Sequence, residues 1–338
     1  AECPGGMVMT GDEGRPRRRP WGVLESILIP IPFAGATAYL GTHVLRDYGW
    51  ALFLGLPIVL PMASVILYAS RARRTWFQCV GVGLGWILAS ILLVLVTAFE
   101  GLICVIMMLP LAVPMAVLGA TLGYGVAVAL RRVSDDEARG SGMLLLALMA
   151  SLPAMVGAEH AIQPEPPVFA VSTAVEIDAP ADRVWRHVIV FPDLPPPTDP
   201  FFRAGIAYPI RARIEGRGVG AVRTCEFTTG SFVEPIEVWD EPRLLRFAVT
   251  SNAPPMEEWN PFFEIHPPHL DGFLASERGQ FRLTPLPGGR TRLEGTTWYR
   301  HGLWPAAYWR FWSDEILHRV HARVLDHVKA LAEWDFDA

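Results

Sequence analysis

From residue 22 to about residue 160 the chain is made of apolar runs too uniform to show a polar face, and from residue 168 onward apolar and polar positions alternate. Five runs, near 22–44, 50–70, 77–98, 111–130 and 143–160, approach the roughly 20 residues an α-helix needs to cross hydrocarbon, where no water satisfies an open backbone. The fifth is the weakest, with Pro153 inside it and Glu159 near its end. Between the third and fourth runs, "FEGLICVIMMLPLAVP" is interrupted by Glu100, Pro110 and Pro114. That pattern predicts a re-entrant or interface-lying segment. The first run exceeds the usual core of a signal peptide and has no clear small-residue cleavage site, so it reads as a retained anchor. Gly81, Gly83 and Gly85 in "GVGLGW" lie within an apolar run without a strand before them, which predicts close helix packing and not a dinucleotide loop.

After the spacer "QPEPP", a stiff extended linker, the periodicity becomes that of a sheet. "FAVSTAVEIDAP" sets Val171, Thr173, Val175 and Ile177 against Ser172, Ala174 and Glu176, as a half-buried strand does. Asp178 and Pro180 then start a helix in "ADRVWRHVIVF". Strands follow near 208–215, 220–229, 231–239 and 243–250, and "PGG" joins two more, "GQFRLTPL" and "RTRLEGTTWYRH". A helix from about Pro305 to Trp334 closes the chain. On it Trp309, Trp312, Ile316, Leu317, Val320, Val324, Val328 and Leu331 share one arc, which one antiparallel sheet must cover. The expected fold is an N-terminal all-α transmembrane bundle of about five helices plus a C-terminal α+β helix-grip domain, a curved sheet around its last helix. The expected division is a cytoplasmic tail 1–21, a membrane domain 22–162, a linker 163–168 and the helix-grip domain 169–338.

Charge supplies the orientation. Arg15, Arg17, Arg18 and Arg19 precede the first run, Arg71, Arg73 and Arg74 follow the second, and Arg131, Arg132 and Arg139 follow the fourth, while the opposite loops offer Arg46. Short cytoplasmic loops retain positive charge, so the N-terminus is expected inside and, with five spans, the C-terminal domain outside. The acidic residues at the spans, Glu25, Glu100 and Glu159, lie near interfaces and favour anchoring over transport. A net charge of −5 with Lys329 as the lone lysine provides no basic field for nucleic acid. Cys3, Cys79, Cys104 and Cys225 have neither zinc-site nor disulfide-framework spacing.

Three stretches carry a family resemblance: "VEIDAPADRVWRHVIVFPDL", "GRGVGAVRTCEFTTGSFVEPIEVWDEPRLLRFAV", and "GRTRLEGTTWY" with the terminal helix. Together, over about residues 168–334, they resemble the START-like (SRPBCC) superfamily, which includes polyketide cyclase/dehydratase-like proteins and plant abscisic-acid receptors. The resemblance implies a cavity between sheet and terminal helix, with Arg223, Cys225 and Phe227 on the concave side. Phe232, Glu234, Ile236 and Val238 follow on the next strand, then Leu245, Phe247 and Val249. Glu234 falls where the receptors keep a cavity acid, and "TTGS" where they have a gating turn, although their proline-bearing gate motif is absent. Thr297 and Tyr299 on the last strand, and Trp309, Trp312, Ile316 and Val320 on the helix, complete the expected lining.

Buried Arg223 and Glu234 need partners, either each other or a ligand. His266, His269 and Asp271 in "HPPHLD", and Asp314, His318 and His321 on the helix, have metal-ligand residue types. An irregular loop and a solvated helix face account for them, so no metal and no cofactor are expected. The chain is therefore expected to bind a hydrophobic small molecule or lipid at the membrane surface. The alternatives are a cyclase- or dehydratase-type enzyme, in which Glu234 or a cavity histidine moves a proton and Arg223 steadies an oxyanion, and a structural subunit partnered with a larger membrane complex.

Overall fold

The computed structural model describes residues 21–70, 72–133, 137–162 and 165–337. The arginines of the N-terminal tail, Arg71, and Gln163 and Pro164 of the spacer lie outside the described residues.

The N-terminal part is a bundle. Its helices are α1 (Val23–Leu28), α2 (Ile31–Tyr39) with a π-helical extension Leu40–Leu45, a π-helical turn Ala51–Gly55 leading into α3 (Leu56–Ser70), α4 (Trp76–Val96), α5 (Leu102–Val133) and α6 (Glu137–Ile162). Five stretches, from Val23–Leu45 to Gly142–Ile162, are long and apolar enough to cross a membrane. Thr75 and Gln78 cap α4 reciprocally, side chain to backbone at 3.3 and 3.0 Å. Small residues let α4 and α5 approach: a Cβ added at Gly83 lies 2.8 Å from Ala120 Cβ, so close packing is indeed the role of this glycine. A Cβ at Gly81 meets nothing within 4 Å.

The re-entrant reading of residues 99–114 is overturned. α5 runs unbroken for 32 residues through Pro110 and Pro114. Prolines are tolerated in such a helix when neighbours serve the backbone groups they free. The carbonyls that Pro110 and Pro114 leave without a helical donor are Ile106 O and Pro110 O, and Tyr308, from the far end of the chain, donates its hydroxyl one residue after the first, to Met107 O. Pro153 likewise lies inside a continuous α6. Glu159 near the end of α6 accepts from Ala51 N at 2.8 Å and so caps the second apolar stretch.

The C-terminal part has β1 (Val168–Ile177), α7 (Ala181–Ile189), α8 (Pro200–Arg203), β2 (Pro209–Glu215), β3 (Val222–Phe227), β4 (Gly230–Asp240), β5 (Leu244–Ala248), β6 (Leu274–Leu286), β7 (Arg290–His301) and α9 (Ala306–Asp337). The strands form one antiparallel sheet in the order β1-β7-β6-β5-β4-β3-β2. Pro287, Gly288 and Gly289 make the three-residue β6–β7 turn between paired Leu286 and Arg290, and the two glycines take its left-handed positions with φ of 82° and 74°. The sheet wraps α9, and Val184, Trp185, Ile236, Leu245, Leu293 and Val328 belong to the shared core. This is the helix-grip fold. A register shift between Ile236 and Val238 resets the alternation of β4, so Trp239 joins that core in place of Val238 and meets Trp185 edge-on at 5.8 Å.

The two parts share a second apolar cluster, in which Tyr48, Phe53 and Met107 of the bundle pack with Phe202, Ile206, Met256, Leu270 and Trp309. The irregular segment before β6 supplies its polar clasp. Glu258 accepts from Ile103 N and Cys104 N at 3.2 and 3.0 Å, Trp259 O accepts from Leu102 N at 2.8 Å, and Asn260 donates to Leu95 O at 2.9 Å. The first amides of α5 and a last carbonyl of α4 are orphans by helix geometry. They are capped here by a loop some 150 residues away.

Candidate functional site

A cavity of about 120 Å³ lies between the concave face of the sheet and α9. Strand alternation sends Arg223, Cys225 and Phe227 of β3 to the same face, and Arg223 stands opposite Glu234 of β4 in register. Phe247 of β5 follows, pressed flat because its cross-strand neighbour is Gly279. A Cβ at Gly279 would collide with the Phe247 ring. α9 contributes Ile316, Val320 and His321.

Arg223 and Glu234 are 2% and 6% exposed and paired with each other through Nη1 and Oε2. Arg223 Nε also donates to Ile189 O at 3.3 Å. Its guanidinium is ringed by Phe191, Phe247 and Phe281, with centroids 5.5–5.6 Å away. Such surroundings attract a cation through the ring quadrupoles. Burial drives the Glu234 carboxyl above its usual range, and Arg223 opposes that rise. Burial also pushes the Cys225 thiol up to about 12, so Cys225 is a neutral apolar wall and no nucleophile. Arg223 binds Glu234 through Oε2, and both residues line the cavity.

His321 is the site residue that sequence reasoning missed. Expected on a solvated face, it lines the cavity, with Nε2 2.7 Å from Thr297 Oγ1 and Nδ1 3.2 Å from Thr173 Oγ1. Burial lowers its pKa to about 4, helped by neighbouring His318. The imidazole is therefore neutral at pH 7. The signal was present, since His321 lies one residue from Val320 on the apolar arc, but the width of that arc depends on how far the sheet curls. The remaining polar wall is satisfied within the protein: Gln280 accepts from Arg246 at 3.0 and 3.2 Å, and Thr296 shares a 2.7 Å hydrogen bond with Ser172.

Of the expected lining residues, Arg223, Cys225, Phe227, Glu234, Phe247, Thr297, Ile316 and Val320 surround this cavity. Ile236, Tyr299, Trp309 and Trp312 do not. Ile236 is packed solid in the core. Tyr299 is fully buried, with its hydroxyl 2.5 Å from Asp314 Oδ1, because its neighbour across the gap is α9 itself. Trp309 and Trp312 sit in the first turns of α9, which reach past the sheet to the bundle, where the Trp309 ring lies 4.7 Å from that of Phe53. The loop histidines also separate. His266 forms an exposed pair with Asp271 at 2.8 Å, whereas His269 is buried against the bundle, its ring edge-on to Tyr48 at 5.5 Å. Cys79, Cys104 and Cys225 are free thiols.

No protein-family model matches the chain, and no curated protein matches it in sequence. Among solved structures it is similar to a norcoclaurine synthase point mutant of Thalictrum flavum bound to a transition-state analogue, at 13% identity over 52% of this chain and 100% of that one, TM-score 0.34. It is also similar to the Zhui aromatase/cyclase of Streptomyces sp. R1128, at 17% identity over 50% of this chain and 96% of that one, TM-score 0.34. A third is the XoxI protein of Bacillus cereus, at 15% identity over 50% and 98%, TM-score 0.34. Likenesses this distant say nothing about chemistry. The helix-grip fold is seen directly in the strand order and in the position of α9.

Proposed function

We propose that the chain is a membrane-anchored binding protein whose helix-grip domain, residues 169–338, takes a small hydrophobic molecule between sheet and α9. The observation that carries this reading is a cavity with mostly apolar walls beside a buried, internally neutralised Arg223–Glu234 pair. Small-molecule sites are largely apolar hollows with a few placed polar groups. At about 120 Å³ it approaches the size of cavities of about 150 Å³ that hold a benzene-sized guest. A single ring is the largest guest of that order of volume, and Glu234 is among the polar side chains of the wall.

The anchor is the bundle, residues 22–162. Arg74 and Arg131 lie together at one end, bonded to Trp21 O at 3.5 Å and Ala72 O at 3.1 Å, and the helix-grip domain is docked at the other. With positive charge retained inside, the domain is extracytoplasmic. There it meets molecules that partition into the outer face of the bilayer, at the raised local concentration that tethering gives.

The test is a binding screen of full-length protein in detergent with substituted phenols and alkylbenzenes, read by thermal shift. Gly295 borders the cavity and an added Cβ there meets Phe281 at an ordinary 3.5 Å. Gly295→Val is expected to abolish the shift, and Glu234→Gln to weaken ligands carrying a hydroxyl about tenfold. Binding indifferent to both changes would exclude this cavity. A second reading is favoured by the neutral His321: a general base must be unprotonated to act. Turnover lost in His321→Gln with binding retained would convert the binding protein into an enzyme.

A further inference from the structure

A loop in water normally buries its rings and leaves its polar side chains outside. The segment that clasps the bundle does the reverse. Glu258 and Asn260 are 9% and 7% exposed, while Trp259, Phe262 and Phe263 between and beside them are 56%, 57% and 51% exposed. Water does not impose such an arrangement, because apolar surface is driven out of it.

The buried half of the pattern is helix capping. The Glu258 carboxylate holds the first amides of α5, and Asn260 Nδ2 reaches the Leu95 carbonyl near the end of α4. Asn260 Oδ1 also accepts from Phe262 N and Phe263 N at 2.9 and 3.3 Å. One side chain thus ties both phenylalanines to a helix end. Trp259 is held likewise, its carbonyl accepting from Leu102 N at 2.8 Å. The three rings are therefore fixed at the level where one span-length apolar stretch, Trp76–Val96, ends and the next, Leu102–Arg131, begins.

Two further observations point to what covers them. Leu88, Leu92 and Val96, four residues apart on α4, are 69%, 61% and 49% exposed, so a bare apolar stripe runs along that helix up to the same end. The segment from residue 251 to 273 contains no arginine or lysine, and exposed Glu257 and Glu264 flank the rings. Nothing in it recruits an anionic headgroup. Rings placed at the end of a span belong to the headgroup layer, where aromatic side chains anchor. We propose, on the reading that the bundle lies in a bilayer, that Trp259, Phe262 and Phe263 form an interfacial anchor that enters the headgroup layer of a zwitterionic membrane, with Glu257 and Glu264 left in water. The anchor adds a contact with lipid to the joint between the helix-grip domain and the bundle.

The test places a fluorescent amino acid, by codon suppression, in place of Phe262 in the full-length protein held in phosphatidylcholine nanodiscs, or in place of Val219 for comparison. Val219 is 70% exposed in the β2–β3 turn, at the far end of β3 from the turn whose Thr229 donates to Pro254 O at 2.6 Å. Emission at position 262 is expected to fall about threefold with phosphatidylcholine spin-labelled near its head and to be unmoved by iodide, with the two quenchers exchanging roles at position 219. The reporter moved to the place of Trp259 is expected to behave as at 262, and it keeps the test open if the first replacement does not fold. Quenching of these positions by iodide and not by lipid would overturn the proposal. Protection from both quenchers would also overturn it, since a second copy or another protein would then cover the rings. Nanodiscs leave both faces of the bilayer accessible, so the outcome does not depend on which way the bundle is oriented. Failure of the membrane reading itself is seen separately, as recovery of the chain in the soluble fraction without detergent.

Discussion

Arg223 and Glu234 decide the character of the helix-grip cavity, because two charges withdrawn from water tolerate each other only while both are present. Removing one leaves an uncompensated buried charge, which costs about 3–5 kcal/mol, whereas replacing both with apolar groups of similar volume is often neutral. Glu234→Gln is therefore expected to unfold the domain at markedly lower denaturant, and Arg223→Met with Glu234→Leu to restore most of the loss. Chemical denaturation followed by tryptophan fluorescence measures both. His321 makes a second expectation, in pH. The unfolded chain protonates this imidazole near 6.5 and the folded chain only near 4, so the unfolded state binds more protons between those values. Stability contributed at this position is whole above pH 6.5 and falls as pH drops toward 4, by about 3 kcal/mol across the full window. Burial lowers His301 and His327 in the same sense. His269 opposes them, since Glu100 raises it against the effect of burial. Comparing the wild type with His321→Gln from pH 7 to pH 4 isolates the one group, and the variant is expected to show the shallower decline in melting temperature.

At the scale of elements, the joint between the two parts depends on capping across the chain. The Glu258 carboxylate, buried at 9% exposure, takes two amides at the start of a 32-residue helix, where the helix dipole also favours a negative charge. Glu258→Ala is expected to cost about 1–3 kcal/mol, seen as faster hydrogen exchange at Ile103 and Cys104 with the amides of β7 unchanged. None of this was legible beforehand. The strands and helices were, because alternation and apolar run length are local properties: β1, the "PGG" hairpin and the arc of α9 could be placed from a few neighbouring residues. The irregular stretch from residue 251 to 273 read only as an insertion, since its partners stand some 150 positions earlier and are ordinary members of an apolar run. The same distance hid His269 behind its exposed neighbour His266. The bulge after Ile236 moved Trp239 inward without any glycine to announce it. Pro110 and Pro114 suggested a break that α5 does not make, and the contact of Tyr308 with that stretch comes from another element.

For the whole molecule, the docking geometry ties the side of the membrane on which the helix-grip domain lies to one helix. α6 leaves the region following the Arg131 end of α5 and delivers the chain to β1, while Glu159 and His160 near its end bind Ala51 N and Asp47 at 2.8 and 2.6 Å. Those partners lie at the same end as Tyr48, whose carbonyl accepts from Trp304 N at 2.9 Å. A path in which α6 stayed on the arginine side would have to break these bonds and expose the apolar cluster formed by Phe53, Met107, Trp309 and their neighbours. The proposed orientation, with the arginine ends held inside, puts the domain outside and its cavity near the outer leaflet. Alkaline phosphatase fused after Ala338 is expected to be active and a green fluorescent protein at the same point dark. The opposite result would mean that the arginine ends face outward or that α6 does not cross, and a cysteine introduced at Gly125 in the arginine-end half of α5, then tested for labelling by an impermeant maleimide in intact cells against lysed ones, separates the two.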